Sequence, residues 1–121
     1  AFEICRKVFS YTNHTIMSEA LEKWPCYLVE NMLPRVYMII KEINRRFCAG
    51  LTDEQSAVMA PIAFSQVRMA NLCVAASHTV NGVSKLHSDI LKDSVFHDFY
   101  KLYPNRFENV TNGIAHRRWL C

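Results

Sequence analysis

Three times in this chain a short strand-like run ends in a cluster of hydrogen-bonding side chains: Thr12 to Thr15, Ser77 to Gly82 and Thr111 to Gly113. Nothing else in the sequence narrows the fold so far. In α/β proteins with a mainly parallel sheet, strand-to-helix loops gather at the carboxyl edge, where ligands bind. The pattern therefore predicts an α/β fold with a few mainly parallel strands, the three clusters converging on one pocket. Amides and imidazole both donate and accept hydrogen bonds, which suits a polyhydroxylated ligand. A phosphate site would draw instead on glycine-rich backbone or several cations.

At 121 residues, half of them hydrophobic, the chain has the size of one domain with a core of its own. Its net charge of +3 comes from 14 Lys and Arg against 11 Asp and Glu, with local clusters only at Arg45-Arg46 and Arg117-Arg118. No basic stripe forms, so nucleic-acid binding through these arginines is a weak reading. The five cysteines (Cys5, Cys26, Cys48, Cys73 and Cys121) are odd in number and widely spaced, without Cys-x-x-Cys, and read as buried reduced thiols. No apolar run approaches the roughly 20 residues that cross a bilayer, and the expected location is the cytoplasm. Asn13-His14-Thr15 and Asn109-Val110-Thr111 fit the glycosylation sequon, a pattern frequent by chance. The opening "AFEICRKVFS", read as starting mid-strand, and the closing "HRRWLC" predict an incomplete domain.

Along the chain, Val8, Phe9 and Tyr11 read as a strand and "SEALEKW" as a helix start capped by Ser18, giving a short helix around Glu19 to Glu30. Leu33-Pro34 punctuates it. "RVYMIIKEINRRF" predicts a longer helix with Val36, Ile39, Ile40, Ile43 and Phe47 inward and Lys41, Glu42, Arg45 and Arg46 outward. Gly50 ends it, and the connection around Pro61 carries a little helix or a β-hairpin. The apolar run Leu72 to Ala76 within "VRMANLCVAAS" suits a strand buried on both faces. "VSKLHSDILK" is amphipathic with Val83, Leu86, Ile90 and Leu91 inward, "DSVFHDFYKLYP" makes a helix ending before Pro104, and "RFENVTNG" is extended.

Spacing alone leaves the individual residues open. His14 is either a structural or a catalytic histidine, Asn112-Gly113 is most simply a tight turn, and His78 reads as a loop or interface residue. His87 and His97 read as helix-surface or boundary residues without an assignable role, and Arg117-Arg118 as a solvated pair. No nucleophile-base-acid order, Gly-rich phosphate loop or paired carboxylate motif is visible.

Longer motifs go further. "YTNHT", "EALEKWP", "MLPRVYMIIKEINRRF", "VRMANLCVAASHTVNGVSKLHSDILK", "FYKLYPNRFENVTNGI" and "RRWL" resemble, in order and spacing, the last part of the N-terminal half of the glycogen, starch and maltodextrin phosphorylases. The match covers the chain apart from the connection around Gly50 to Phe64, whose shortness resembles bacterial members. The resemblance implies a partial Rossmann-like domain of a GT-B fold, in which two such domains face across a cleft, with residues 1–121 one segment of the N-terminal catalytic domain. It implies pyridoxal phosphate, held by a lysine in the C-terminal half outside this chain. The implied reaction is release of glucose 1-phosphate from the non-reducing end of an α-1,4-glucan by inorganic phosphate, in a cytoplasmic enzyme that is a homodimer and engages neither nucleic acid nor membrane.

Carried over by motif, His14 matches the active-site histidine that contacts the 6-hydroxyl of the reacting glucosyl unit, its main-chain carbonyl beside the developing oxocarbenium charge. Thr15 follows at the pocket wall, Asn112 matches the asparagine that holds glucose hydroxyls, and Val83 matches the apolar contact under the sugar ring. Ala20 and Glu22 fall where the family lines a side pocket, and Trp119 corresponds to a tryptophan packed near the cofactor. Four positions depart from the pattern: Ala115-His116 replaces a usual Thr-Pro, Ala76 a common Gly, and Lys41 the aromatic of the animal enzymes' glycogen-storage site. The competing reading is a non-catalytic carbohydrate-binding or interaction module that reuses the segment.

Overall fold

The computed structural model describes residues 2–119. The helix α1 (Phe2–Val8) leads into strand β1 (Ser10–Thr12), and a 3₁₀ turn over Ser18–Ala20 leads to β2 (Lys23–Pro25). Helices α2 (Cys26–Met32), α3 (Pro34–Cys48) and α4 (Asp53–Met59) follow, then the hairpin β3 (Ile62–Ala63) and β4 (Gln66–Arg68). Helix α5 (Met69–Ala76), strand β5 (Thr79–Gly82) and helix α6 (Lys85–Ile90) come next. A π-helical turn over Leu91–Val95 joins α6 to α7 (His97–Leu102), and β6 (Phe107–Asn109) and α8 (His116–Trp119) close the described chain.

Two small sheets result. One is parallel throughout, in the order β1-β5-β6, with Thr12 opposite Asn81 and Gly82 opposite Asn109. The other is antiparallel, in the order β2-β4-β3. Val80 at the centre of the parallel sheet is fully buried and joins Met59, Ala70, Val74, Leu91, Phe96, Phe99 and Phe107 in the main core. Its aromatic rings meet edge to face, Phe96 with Phe99 at 6.0 Å and Tyr100 with Phe107 at 5.7 Å, the arrangement their quadrupoles favour. A second, smaller core of Tyr37, Ile40 and Val67 ties α3 to the antiparallel sheet.

The α/β architecture and the parallel sheet meet the expectation, and the connection around Pro61 carries both a helix and a hairpin. α4 begins with a complete capping box, Thr52 and Gln55 each accepting from the other's backbone N–H. In the hairpin, Phe64 and Ser65 form a two-residue loop with φ of 51° and 58°, the left-handed geometry that matches strand twist and that glycine adopts at lower cost.

Several elements differ from the sequence reading. The opening segment is a helix up to Val8, and the strand is confined to Ser10–Thr12. Glu3 in the first turn with Arg6 and Lys7 in the last complement the helix dipole and break any strand alternation. "SEALEKW" makes only a 3₁₀ turn, without a side-chain cap from Ser18, because Trp24 precedes a proline and is driven to extended backbone. The helix that follows starts after Pro25.

The apolar run Leu72 to Ala76 is helical, within α5. A short apolar run does not distinguish strand from helix, and here Ala and Leu outnumber the one β-branched Val74. Its buried residues Ala70, Val74 and Ala75 recur at helical spacing. α3 is a helix as expected, but Tyr37 and Ile40 are its buried residues, while Val36 and Ile39 are 44% and 53% exposed. On its outer face Glu42 bonds both Arg45 and Arg46. In α6, Leu91 is inward at the helix end whereas Leu86 is 72% exposed. Cys5, Cys26, Cys48 and Cys73 are free but only partly buried, and Cys121 lies outside the described residues. Burial pushes the Cys73 thiol up, which keeps it protonated and unreactive.

Candidate functional site

At the carboxyl end of β1 three of the four polar side chains divide the work of turning the chain. Thr12 donates from Oγ1 to Asn81 Oδ1 at 2.9 Å, stitching β1 to β5. Asn13, only 1% exposed, accepts the Thr15 N–H on Oδ1 at 2.9 Å, an Asx turn with His14 at its apex. Its Nδ2 donates to the Tyr11 hydroxyl, which burial keeps in the neutral phenol form. Thr15 Oγ1 then accepts from Met17 N and begins the next turn. His14 is left exposed, its side chain unbonded among the described residues.

The neighbouring strand end depends on a close approach. A Cβ on Gly82 would stand 2.6 Å from Ser88 Oγ and 2.9 Å from Ser88 N, so α6 packs against β5 at a distance only glycine permits. Ser88 Oγ meets the Ser84 carbonyl at 2.8 Å and Asn109 Oδ1 at 2.9 Å, joining α6 to the end of β6. Ser84 caps α6 by accepting from His87 N.

His87 closes the network. The Val83 N–H donates to its Nδ1 at 3.2 Å, so that nitrogen is unprotonated and the proton of the neutral ring sits on Nε2. Nε2 faces Asn13 Oδ1 at 3.2 Å and the Thr15 carbonyl at 3.4 Å, and donates to both. On the far side, Asn112 N donates to the Val83 carbonyl at 3.0 Å and Val110 N to the Gly82 carbonyl at 3.2 Å. The strand ends thus form one hydrogen-bonded rim of neutral groups. Every buried side-chain nitrogen and oxygen among the described residues has a partner.

His14, Thr15, Val83 and Asn112 all lie along this rim. The cluster Ser77 to Gly82 does not belong to it as a unit. Asn81 and Gly82 end β5 at the rim, whereas His78 N bonds the Phe9 carbonyl beyond the opposite end of the strands. Gly113 has no left-handed φ, and the Asn112-Gly113 stretch is open chain rather than a tight turn. Ala20 and Glu22 sit on the excursion between β1 and β2, where the Glu22 carbonyl accepts from Met69 N. Trp119 on α8 is 80% exposed and shares no hydrogen bond with the rim. His87 went unassigned in the sequence because it lies on a helix. The available signal was its place at the third residue after a Ser cap, on the first turn following a strand end.

The fold defines a class: α/β proteins that present neutral hydrogen-bonding groups at the carboxyl edge of a parallel sheet. Comparison with known proteins names the family. The carbohydrate phosphorylase model matches residues 1–121, and the chain belongs to that family. It is 53% identical over 126 residues to a glycogen phosphorylase of Bacillus subtilis (strain 168), covering 99% of this chain and 16% of the relative. It is 47% identical to the muscle form of glycogen phosphorylase from Ovis aries and 46% to that of Homo sapiens, covering 99% of this chain and 15% of each. The chain therefore spans about a sixth of the length of these relatives.

Proposed function

We propose that residues 1–121 are a segment of the N-terminal catalytic domain of a GT-B α-1,4-glucan phosphorylase and form one wall of its sugar site. The observation that carries this reading is the family match over the whole chain, with glycogen phosphorylases as relatives at 46–53% identity. In this reading His14 meets the 6-hydroxyl of the terminal glucosyl unit from the apex of its Asx turn. Its main-chain carbonyl dipole, aimed at the anomeric carbon, favours positive charge as it forms and so lowers the transition state more than the ground state. Asn112 holds glucose hydroxyls, Val83 lies under the ring, Thr15 completes the wall, and Ala20 and Glu22 border a side pocket. A neutral rim suits these tasks, because a hydroxylated ring offers donors and acceptors without net charge.

Pyridoxal phosphate belongs to the C-terminal half in this assignment, where a lysine holds it covalently and its chemistry is supplied. What this chain offers the cofactor is Trp119, whose exposed aromatic face suits packing beside a flat ring. The full-length parent is a cytoplasmic homodimer acting on glucan and inorganic phosphate. Among the described residues no helix is long and apolar enough to cross a membrane.

The test is glucose 1-phosphate release from maltodextrin and phosphate by the full-length parent purified with pyridoxal phosphate. Cofactor-dependent release is expected from the parent and none from the isolated chain. A folded, cofactor-loaded parent that releases nothing would leave the site a carbohydrate-binding module.

A further inference from the structure

His87 is the only described side chain that hydrogen-bonds both the His14 turn and the backbone of Val83. We propose that it is a positioning residue for the sugar site, setting His14 through its Nε2–H while Nδ1, bonded to the Val83 N–H, orients the ring. The inference rests on the phosphorylase reading and adds a residue that the motif comparison left without a role.

The geometry divides its task. Nδ1 receives the Val83 N–H, and the Val83 carbonyl receives Asn112 N at 3.0 Å, so one side of the imidazole reaches both sugar-contacting segments that follow β5 and β6. Nε2–H is shared by Asn13 Oδ1 and the Thr15 carbonyl, the two groups that bracket His14. Asn13 Oδ1 also accepts the Thr15 N–H that closes the Asx turn, so moving the ring alters the bond that sets the apex. Backbone pairing to β5 ends at the Asn13 N–H bond to the Asn81 carbonyl, so beyond it the Nε2–H contacts to Asn13 Oδ1 and the Thr15 carbonyl fix the turn that carries His14. Displacement of a reacting geometry by about 1 Å costs on the order of a hundredfold in rate.

Conservative variants separate the two nitrogens. The amide nitrogen of Gln reaches the place of Nε2 and donates to Asn13 and Thr15; the amide oxygen of Asn takes the place of Nδ1 and accepts from Val83 alone. In the full-length parent with pyridoxal phosphate, maltodextrin and inorganic phosphate, His87→Asn is expected to lower kcat about a hundredfold, KM staying within about threefold. His87→Gln should stay within about tenfold of the wild type. A merely structural role would cost both variants alike and spread the loss over KM.

Spectra of the same parent labelled with ¹⁵N-histidine give a readout independent of turnover. His87 should show a neutral ring protonated at Nε2, and the His14 resonances should shift in His87→Asn and hold in His87→Gln. His14 resonances unmoved by either variant, or equal kcat losses in both, overturn the proposal. A wild-type parent that makes no glucose 1-phosphate overturns the phosphorylase reading instead, and the spectra still decide whether His87 positions His14.

Discussion

The strand-end rim and the groove between α1, α3 and α5 are opposites. At the rim, the buried polar side chains are all paired: Asn13, Asn81 and Ser88 are at most 8% exposed. At the groove, a space of about 820 Å³ is lined mainly by apolar residues, with Arg35, Glu42 and Arg46 among them, and Phe9, Met38 and Ile39 are between 53% and 70% exposed. Hydrogen bonds are directional and costly to leave unmade, so a polar rim specifies positions to a fraction of an ångström. Apolar contact scales with area and specifies little beyond proximity. Substitutions should therefore act sharply and individually at the rim, and weakly at the groove.

The largest contrast is expected in catalysis. His14→Ala in the parent keeps the main-chain carbonyl but removes the side-chain hydrogen bond, and glucose 1-phosphate formation should fall about 10- to 100-fold. Met38→Ala at the groove should leave kcat within about twofold. Equal losses would erase the distinction between the regions.

Next come the glycines. Gly82→Ala forces a methyl into Ser88 and should destabilise by about 1–3 kcal/mol in denaturant melts. Gly50, with nothing within 4 Å of an added Cβ and no left-handed φ, should accept Ala with a gain of about 0.4–1 kcal/mol. A smaller effect is expected away from both regions: Ser65→Gly relieves a left-handed φ in the β3-β4 hairpin, partly offset by glycine's greater unfolded-state entropy, and should stabilise by about 0.5 kcal/mol.

The smallest effect concerns α3. Hydrogen bonds from Arg45, then Arg46, hold the Glu42 carboxyl at about 2, below its usual 4.5. A depressed carboxylate stabilises above the ordinary pKa and loses that contribution as pH falls from about 4.5 towards 2. Because the carboxyl and both arginines are largely open to solvent, Glu42→Gln should leave the melting temperature at pH 7 within about 1 °C and slightly flatten its decline in acid.

The sequence by itself determined the fold class, the parallel sheet, the run of α3 and the polar character of the strand ends. Alternation of apolar runs with clusters of turn-forming, hydrogen-bonding residues is a local property, and it survives folding. The Asn13-His14-Thr15 turn is local in the same way, because it closes within its own residues, while the reading of His14 itself comes from motif resemblance. The tertiary structure decided whether the short apolar runs became strand or helix: α1 and α5 are helices and Thr79–Gly82 took the strand, since such runs satisfy either period until packing selects one. It also decided the role of His87. Its partners Asn13 and Thr15 lie 74 and 72 residues away in sequence, and only the parallel register of β1 with β5 brings them within reach of the imidazole.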